Sequence, residues 1–115
     1  MAKAFVEKEG NSRLRLANTT NATIEKGDFA ILGNISGVAL EEVRAGYVGA
    51  FHVEEGLVCQ IGQADFASGA NFTWNAPVYF DDGEFSHEGT SLVGQVTEQL
   101  TNGVVRFAKF FRVYD

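Results

Sequence analysis

The chain holds one cysteine, one proline, one methionine and one tryptophan in 115 residues, with nine Lys and Arg against fifteen Asp and Glu. Each shortage excludes something. A lone cysteine, Cys59, cannot close an internal disulfide. Its setting, Leu57-Val58-Cys59-Gln60-Ile61, reads as a strand in which the thiol is a small core hydrophobe. A nucleophilic cysteine needs a basic or His neighbour, and His52 lies seven residues upstream. The net charge of −6 argues against nucleic acid as partner, because such proteins carry a basic stripe. It suits solubility or a basic protein partner instead. No run approaches the roughly 18 apolar residues of a membrane-crossing helix, so no membrane partner is expected. Met1-Ala2-Lys3-Ala4-Phe5 lacks a signal-peptide core, which points to synthesis and folding in the cytosol. The triplets at Asn18, Asn21, Asn34 and Asn71 are then turn chemistry rather than glycan sites.

Catalytic and metal motifs are missing too. There is no G-x-S-x-G, H-E-x-x-H or P-loop, and no Cys/His pair at metal spacing. Asp81, Asp82, Glu84, His87 and Glu88 crowd into eight residues, but D-D-G-E-F-S-H-E fits neither an EF-hand nor a zinc motif. It reads as a solvated hairpin tip. Glu41-Glu42 and Glu54-Glu55 are neighbours, and on a strand neighbours point to opposite faces, so they do not form acid–base pairs. No enzyme activity, cofactor or metal is expected. Phe66, Phe72 and Trp74 could stack bases on an OB-like barrel. Without flanking Lys or Arg they fit core packing or a subunit interface better.

What the chain has in quantity is glycine, at thirteen, and phenylalanine, at ten. Phenylalanine suits strands, and turn signals recur every 8–12 residues. That grammar predicts an all-β fold, a small barrel or sandwich. Residues 1–12 read as a flexible N-terminal arm with Phe5 and Val6 as its large apolar pair, and residues 13–115 as one β-rich domain. Arg13 to Leu16 alternates as a half-buried strand, and Gly27-Asp28 opens Phe29 to Leu32. Val38 to Leu40 is a short strand, and Leu40 to Ala45 is too short to count as a helix. Tyr47 to Val53 turns through Glu54-Glu55-Gly56 into Leu57–Ile61, a predicted hairpin. Phe72, Trp74 and Val78–Phe80 form an aromatic strand region, with Pro77 at its start. Glu84 to His87, Leu92 to Val96 and Val104 to Val113 follow, the last central and longest, with Val105, Phe107 and Lys109 on one face.

The segment from Gly37 to Phe51 also recurs from Gly94 to Ala108. Gly37/Gly94, Glu41/Glu98, Gly46/Gly103 and Val48/Val105 are identical. The chain therefore reads as a duplicated strand-turn-strand unit, with Asp81 to Thr90 inserted in the second copy and placed on the surface.

In order and spacing these pieces resemble the head-decoration (capsid cement) proteins of tailed bacteriophages. The pieces are Met1-Ala2 with Phe5-Val6, Ile24 to Gly33, Gly37 to Leu40, Ala45-Gly46 with Gly49, Val53 to Val58, Asn75 to Gly83, Leu92 to Val96 and Val104 to Phe107. Asp28 is followed by Phe29 where the family commonly has proline, while Pro77 is kept in the second site. The resemblance implies a virion protein on the exterior of the head, made in the host cytoplasm. It implies binding to the major capsid protein after expansion, stabilisation by bridging capsomers, and a homotrimer. On this reading Ala2, Lys3, Ala4, Phe5, Val6 and Glu7 contact the capsid, with Phe5 and Val6 as anchors, and Trp74, Phe110, Phe111 and Tyr114 serve self-association. The competing readings are a tail- or fibre-associated module, a small ligand-binding β-domain, and a hydrolase built on His52 and Cys59.

Overall fold

One local device is used four times. A buried apolar residue is followed by a four-residue turn whose third residue has positive φ, and a strand begins. Ile24, Val43, Val53 and Phe72 are the buried residues. The turns close through Asp28 N–H to Glu25 O (3.0 Å), Tyr47 N–H to Arg44 O (3.0 Å), Leu57 N–H to Glu54 O (3.2 Å) and Ala76 N–H to Thr73 O (3.1 Å). Gly27, Gly46, Gly56 and Asn75 take φ of 90°, 82°, 83° and 63°. This is the type II turn, which needs a residue tolerant of φ > 0 at its third position.

The computed structural model describes residues 13–100 and 103–115; the arm predicted over residues 1–12 lies outside them. The strands are β1 (Arg13–Ala17), β2 (Phe29–Leu32), β3 (Ile35–Ala39), β4 (Val48–His52), β5 (Val58–Ile61), β6 (Pro77–Asp81), β7 (Glu84–Ser86), β8 (Leu92–Gln99) and β9 (Val105–Tyr114). All pairings between them are antiparallel. Their path runs β1-β4-β3-β9-β8-β6-β7, with β2 beside β3 and β5 beside β9. A 3-10 turn lies at Gln63–Asp65, and no α-helix occurs among the described residues. The all-β expectation holds.

The duplication is visible in space. β2-β3-β4 is a meander, and β6-β8-β9 repeats it. The extra strand β7 sits inside the Asp81 to Thr90 insertion and folds back on β6 through Asp82 (φ 54°) and Gly83 (φ 79°), a type I′ hairpin. Of the predicted Thr101-Asn102-Gly103 turn only Gly103 is described, with φ 73°. The repeated Gly37 and Gly94 have a common cause. A Cβ on Gly37 would lie 2.9 Å from Val53 Cγ1, and one on Gly94 2.5 Å from the Ala108 carbonyl oxygen. At Gly94 the obstacle is backbone of the neighbouring strand, which cannot step aside. Gly94→Ala is therefore expected to destabilise by about 3 kcal/mol or more, read as a lowered urea midpoint at unchanged slope.

Two cores result. Ile24, Ala30, Leu32, Ala39, Val43, Phe51 and Val53 form one. Around Val78, Phe85, Val93, Val96 and Phe107 lies the other. β2 serves both: Ala30 and Leu32 belong to the first core, while Phe29 and Ile31 pack against the second. Burial on both faces explains the unbroken apolar run Phe29-Ala30-Ile31-Leu32.

β9 is central and longest, as expected, but it changes neighbours along its length. Val105 to Ala108 pairs with β5, and Arg112 pairs with Ile35 of β3. Against β8, the step from Gly94 to Leu92 faces the longer step from Lys109 to Tyr114. β9 thus bulges and bends there, which moves it from one sheet to the other. This corrects the hairpin predicted between Tyr47–Val53 and Leu57–Ile61. β4 pairs with β1 and β3, whereas β5 crosses to β9. The Glu54-Glu55-Gly56 turn is real, but it redirects the chain between sheets. Phe72 and Trp74 are also not in a strand; Trp74 sits in the turn before β6, and Phe72 precedes that turn.

Candidate interaction surfaces

The bend in β9 is lined by polar groups that hold it. Lys109 follows Val105 and Phe107 on the inward face and is 0% exposed. Its ammonium donates to the carbonyls of Val53 (2.9 Å) and Phe110 (2.8 Å). Buried Ser36 donates to the same Phe110 carbonyl at 2.7 Å. Glu55 accepts the Phe111 N–H at 2.6 Å. Burial pushes the Lys109 ammonium below its usual 10.5, opposed by the nearby Cys59 and Glu55. The alternation placed Lys109 on this inward face, but nothing in the sequence signalled the seam it belongs to.

The aromatics proposed for self-association lie on two elements, the turn before β6 and the strand β9. Trp74 is 60% exposed on the turn before β6. That turn ends at Ala76, whose carbonyl accepts from Val96 N on β8. Tyr114 is 53% exposed at the far end of β9, opposite Leu92 at the start of β8. Phe110 stacks edge-on against Tyr114, with centroids 5.8 Å apart. Phe111 packs against the first core. The structure brings Phe110 and Tyr114 together and packs Phe111 against the first core. The capsid-contact residues Ala2 to Glu7 lie outside the described residues.

His52 and Cys59 do line one groove of about 570 Å³, together with Phe29, Phe80 and Phe85. The thiol is pushed up to about 11, mainly by burial, with Lys109 opposing. Its sulfur lies 3.9 Å from the Leu57 carbonyl oxygen, which can accept from the thiol. A group held as thiol at neutral pH is a poor nucleophile, so the geometry fits the core-hydrophobe reading of Cys59.

Two side chains of the acidic insertion accept backbone hydrogen bonds. Asp81 accepts from Thr90 N (3.0 Å) and Ser91 N (3.2 Å), and His87 Nδ1 accepts from Asn71 N (3.0 Å). Among the described residues no three His, Cys, Asp or Glu side chains stand close enough to hold a metal. No helix among them is long and apolar enough to cross a membrane.

No curated protein and no solved structure matches the chain. Residues 8–110 match the family described as phage cement protein. The match begins before β1 and runs through both meanders and the bend of β9; the chain belongs to the phage cement protein family.

Proposed function

We propose that this protein decorates the outer surface of the expanded phage head and stabilises it by bridging neighbouring capsomers. Family membership gives a structural role associated with the phage capsid. The finer reading rests on that match, together with a scaffold whose one nucleophile candidate is held as a buried thiol. Residues Ala2 to Glu7 contact the major capsid protein, with Phe5 and Val6 as anchors. Trp74 and the Phe110–Tyr114 pair are separate anchors toward neighbouring copies, the copies grouping as trimers. Many weak contacts in an array gain from avidity, so no single one has to be strong.

Cosedimentation with phage heads tests this. Saturable binding to expanded heads and a higher temperature of head disruption are expected. Absence of binding to expanded heads would overturn the reading. Removing residues 2–7 tests the arm separately: it is expected to abolish binding, and unchanged binding refutes the arm's role.

A further inference from the structure

β5 is an edge strand without the usual guards. Among the described residues it pairs only with β9. Lys109 N–H donates to Leu57 O at 2.9 Å, and hydrogen-bonding direction alternates along an antiparallel strand. Leu57, Cys59 and Ile61 therefore turn their backbone groups toward β9, while Val58 and Gln60 each turn an N–H and a C=O the other way. Those groups have no hydrogen-bond partner among the described residues. Proteins blunt free sheet edges with charged residues or proline. The two ends of the strand path do so, β1 with Arg13 and Arg15 and β7 with Glu84. β5, Val58-Cys59-Gln60-Ile61, carries neither, and Val58 is 57% exposed on it. The groove of about 570 Å³ is lined by all four of these residues. Successive side chains of a strand point to opposite faces, so a groove that meets every one of them follows the strand's open side. Phe29, Val38 and Phe80 give it an apolar wall. Its charge is negative: Asp28 and Asp65 line it, no Lys or Arg does, and neither aspartate has an ion-pair partner among the described residues.

We propose that an extended segment of the capsid shell protein, carrying apolar residues and a Lys or Arg, adds as a strand to the free edge of β5 and fills this groove. Its backbone supplies the partners that Val58 and Gln60 lack. The residue opposite Cys59 points inward with the thiol, which packs on the same core as Phe29 and Phe80, so an apolar side chain belongs there. A cation beside it answers Asp28 and Asp65, whereas an acidic segment would meet like charge. Strand addition of this kind takes its affinity from main-chain hydrogen bonds and its specificity from pockets for alternate side chains. The contact rests on the capsid reading and gives the folded domain its own docking site within it.

Amide exchange of the full chain, free and on expanded phage heads, tests it. In the free protein the Val58 and Gln60 amides are expected to exchange fast, beside slow Cys59 and Ile61 amides. On heads they are expected to slow by about ten-fold or more, the order expected when open edge groups gain partners. Gln60→Pro removes an outward N–H and leaves the ladder to β9 intact. It is expected to weaken head binding about ten-fold while its urea midpoint stays near the parent's. Gln60→Ala keeps the N–H and is expected to bind as the parent does. Asp65→Asn is expected to weaken binding and to flatten its dependence on salt. Binding to heads with the Val58 and Gln60 amides unchanged would overturn this site and leave the capsid reading standing; no binding at all would end both. Slow amides in the free protein would mean that the edge is already filled, by this chain or by a second copy, and would overturn the proposal as well.

Discussion

Lys109→Ala is expected to destabilise the protein by about 3 kcal/mol at neutral pH, while Lys109→Met costs about 1 kcal/mol. Two effects add in the alanine variant. Removing a long buried stem leaves a cavity, and such truncations cost roughly 2–5 kcal/mol. The Val53 carbonyl also loses its donor, whereas the Phe110 carbonyl keeps Ser36. An orphaned buried acceptor costs about 1–3 kcal/mol. Against both stands relief from burying an ammonium, which is why the sum is not larger. Methionine keeps the stem volume and loses only the bonds. Urea unfolding measures all three proteins, and a Lys109→Ala variant as stable as the parent would remove the seam's structural role.

The same residue ties stability to alkaline pH, and the sign follows from the direction of its shift. Folding lowers the Lys109 pKa from 10.5, so the unfolded chain holds its proton where the folded chain has released it. Stability therefore rises with pH between the lowered folded value and 10.5. Cys59 works the other way. Its pKa is raised from 9.0 to about 11, so its contribution is complete below 9.0 and is lost as pH climbs toward 11. In the parent the two oppose each other. Cys59→Ala should expose the rise from Lys109, and Lys109→Met should leave only the fall. A Lys109→Met protein that still gains stability over this range would show that the rise belongs to another group.

The strands were legible in the sequence because their alternation and their turn glycines are local facts. Gly27, Gly46, Gly56 and Asn75 mark positions where positive φ is needed, and the run Phe29 to Leu32 is apolar throughout because two cores meet on it. The Gly37–Phe51 repeat pointed to two related units, and the inserted β7 fell where the lengths disagreed. The partner of β5 was not legible. A tight turn between two strands predicts a hairpin, but the decision to pair with β9 is made by Ile61 and Cys59 opposite Val105 and Phe107, over forty residues away. Exposure of a given aromatic was not legible either. Trp74 and Phe72 are two residues apart, yet the turn that follows buried Phe72 sends Trp74 into solvent. Inward placement of Lys109 was readable from period two; its bond to the Val53 carbonyl was not, because that acceptor comes from the other half of the chain.

Phe107→Ala is expected to have the largest effect on the scaffold, a loss of about 3–5 kcal/mol. Phe107 is 0% exposed on the central strand. Its ring meets Phe85 at 5.6 Å and Phe29 at 6.0 Å between centroids. Phe29 belongs to the first meander and also contacts Phe80 (5.0 Å) and Phe85 (5.2 Å). The aromatic cluster therefore fastens the two halves to each other, besides filling one of them. Such edge-on pairs add about 0.5–1.5 kcal/mol beyond burial, so Phe29→Ala and Phe107→Ala should be non-additive by that order. Since β9 lies in both sheets and Phe29 packs across them, neither half has a complete core alone. The chain should unfold in one transition, and Phe107→Ala should shift it as a whole in fluorescence and circular dichroism together. A loss of that size is a large share of the roughly 5–15 kcal/mol typical of a domain. Two separated transitions, or a loss below about 1 kcal/mol, the median for point substitutions, would show that the halves stand independently and that β9 merely lies between them.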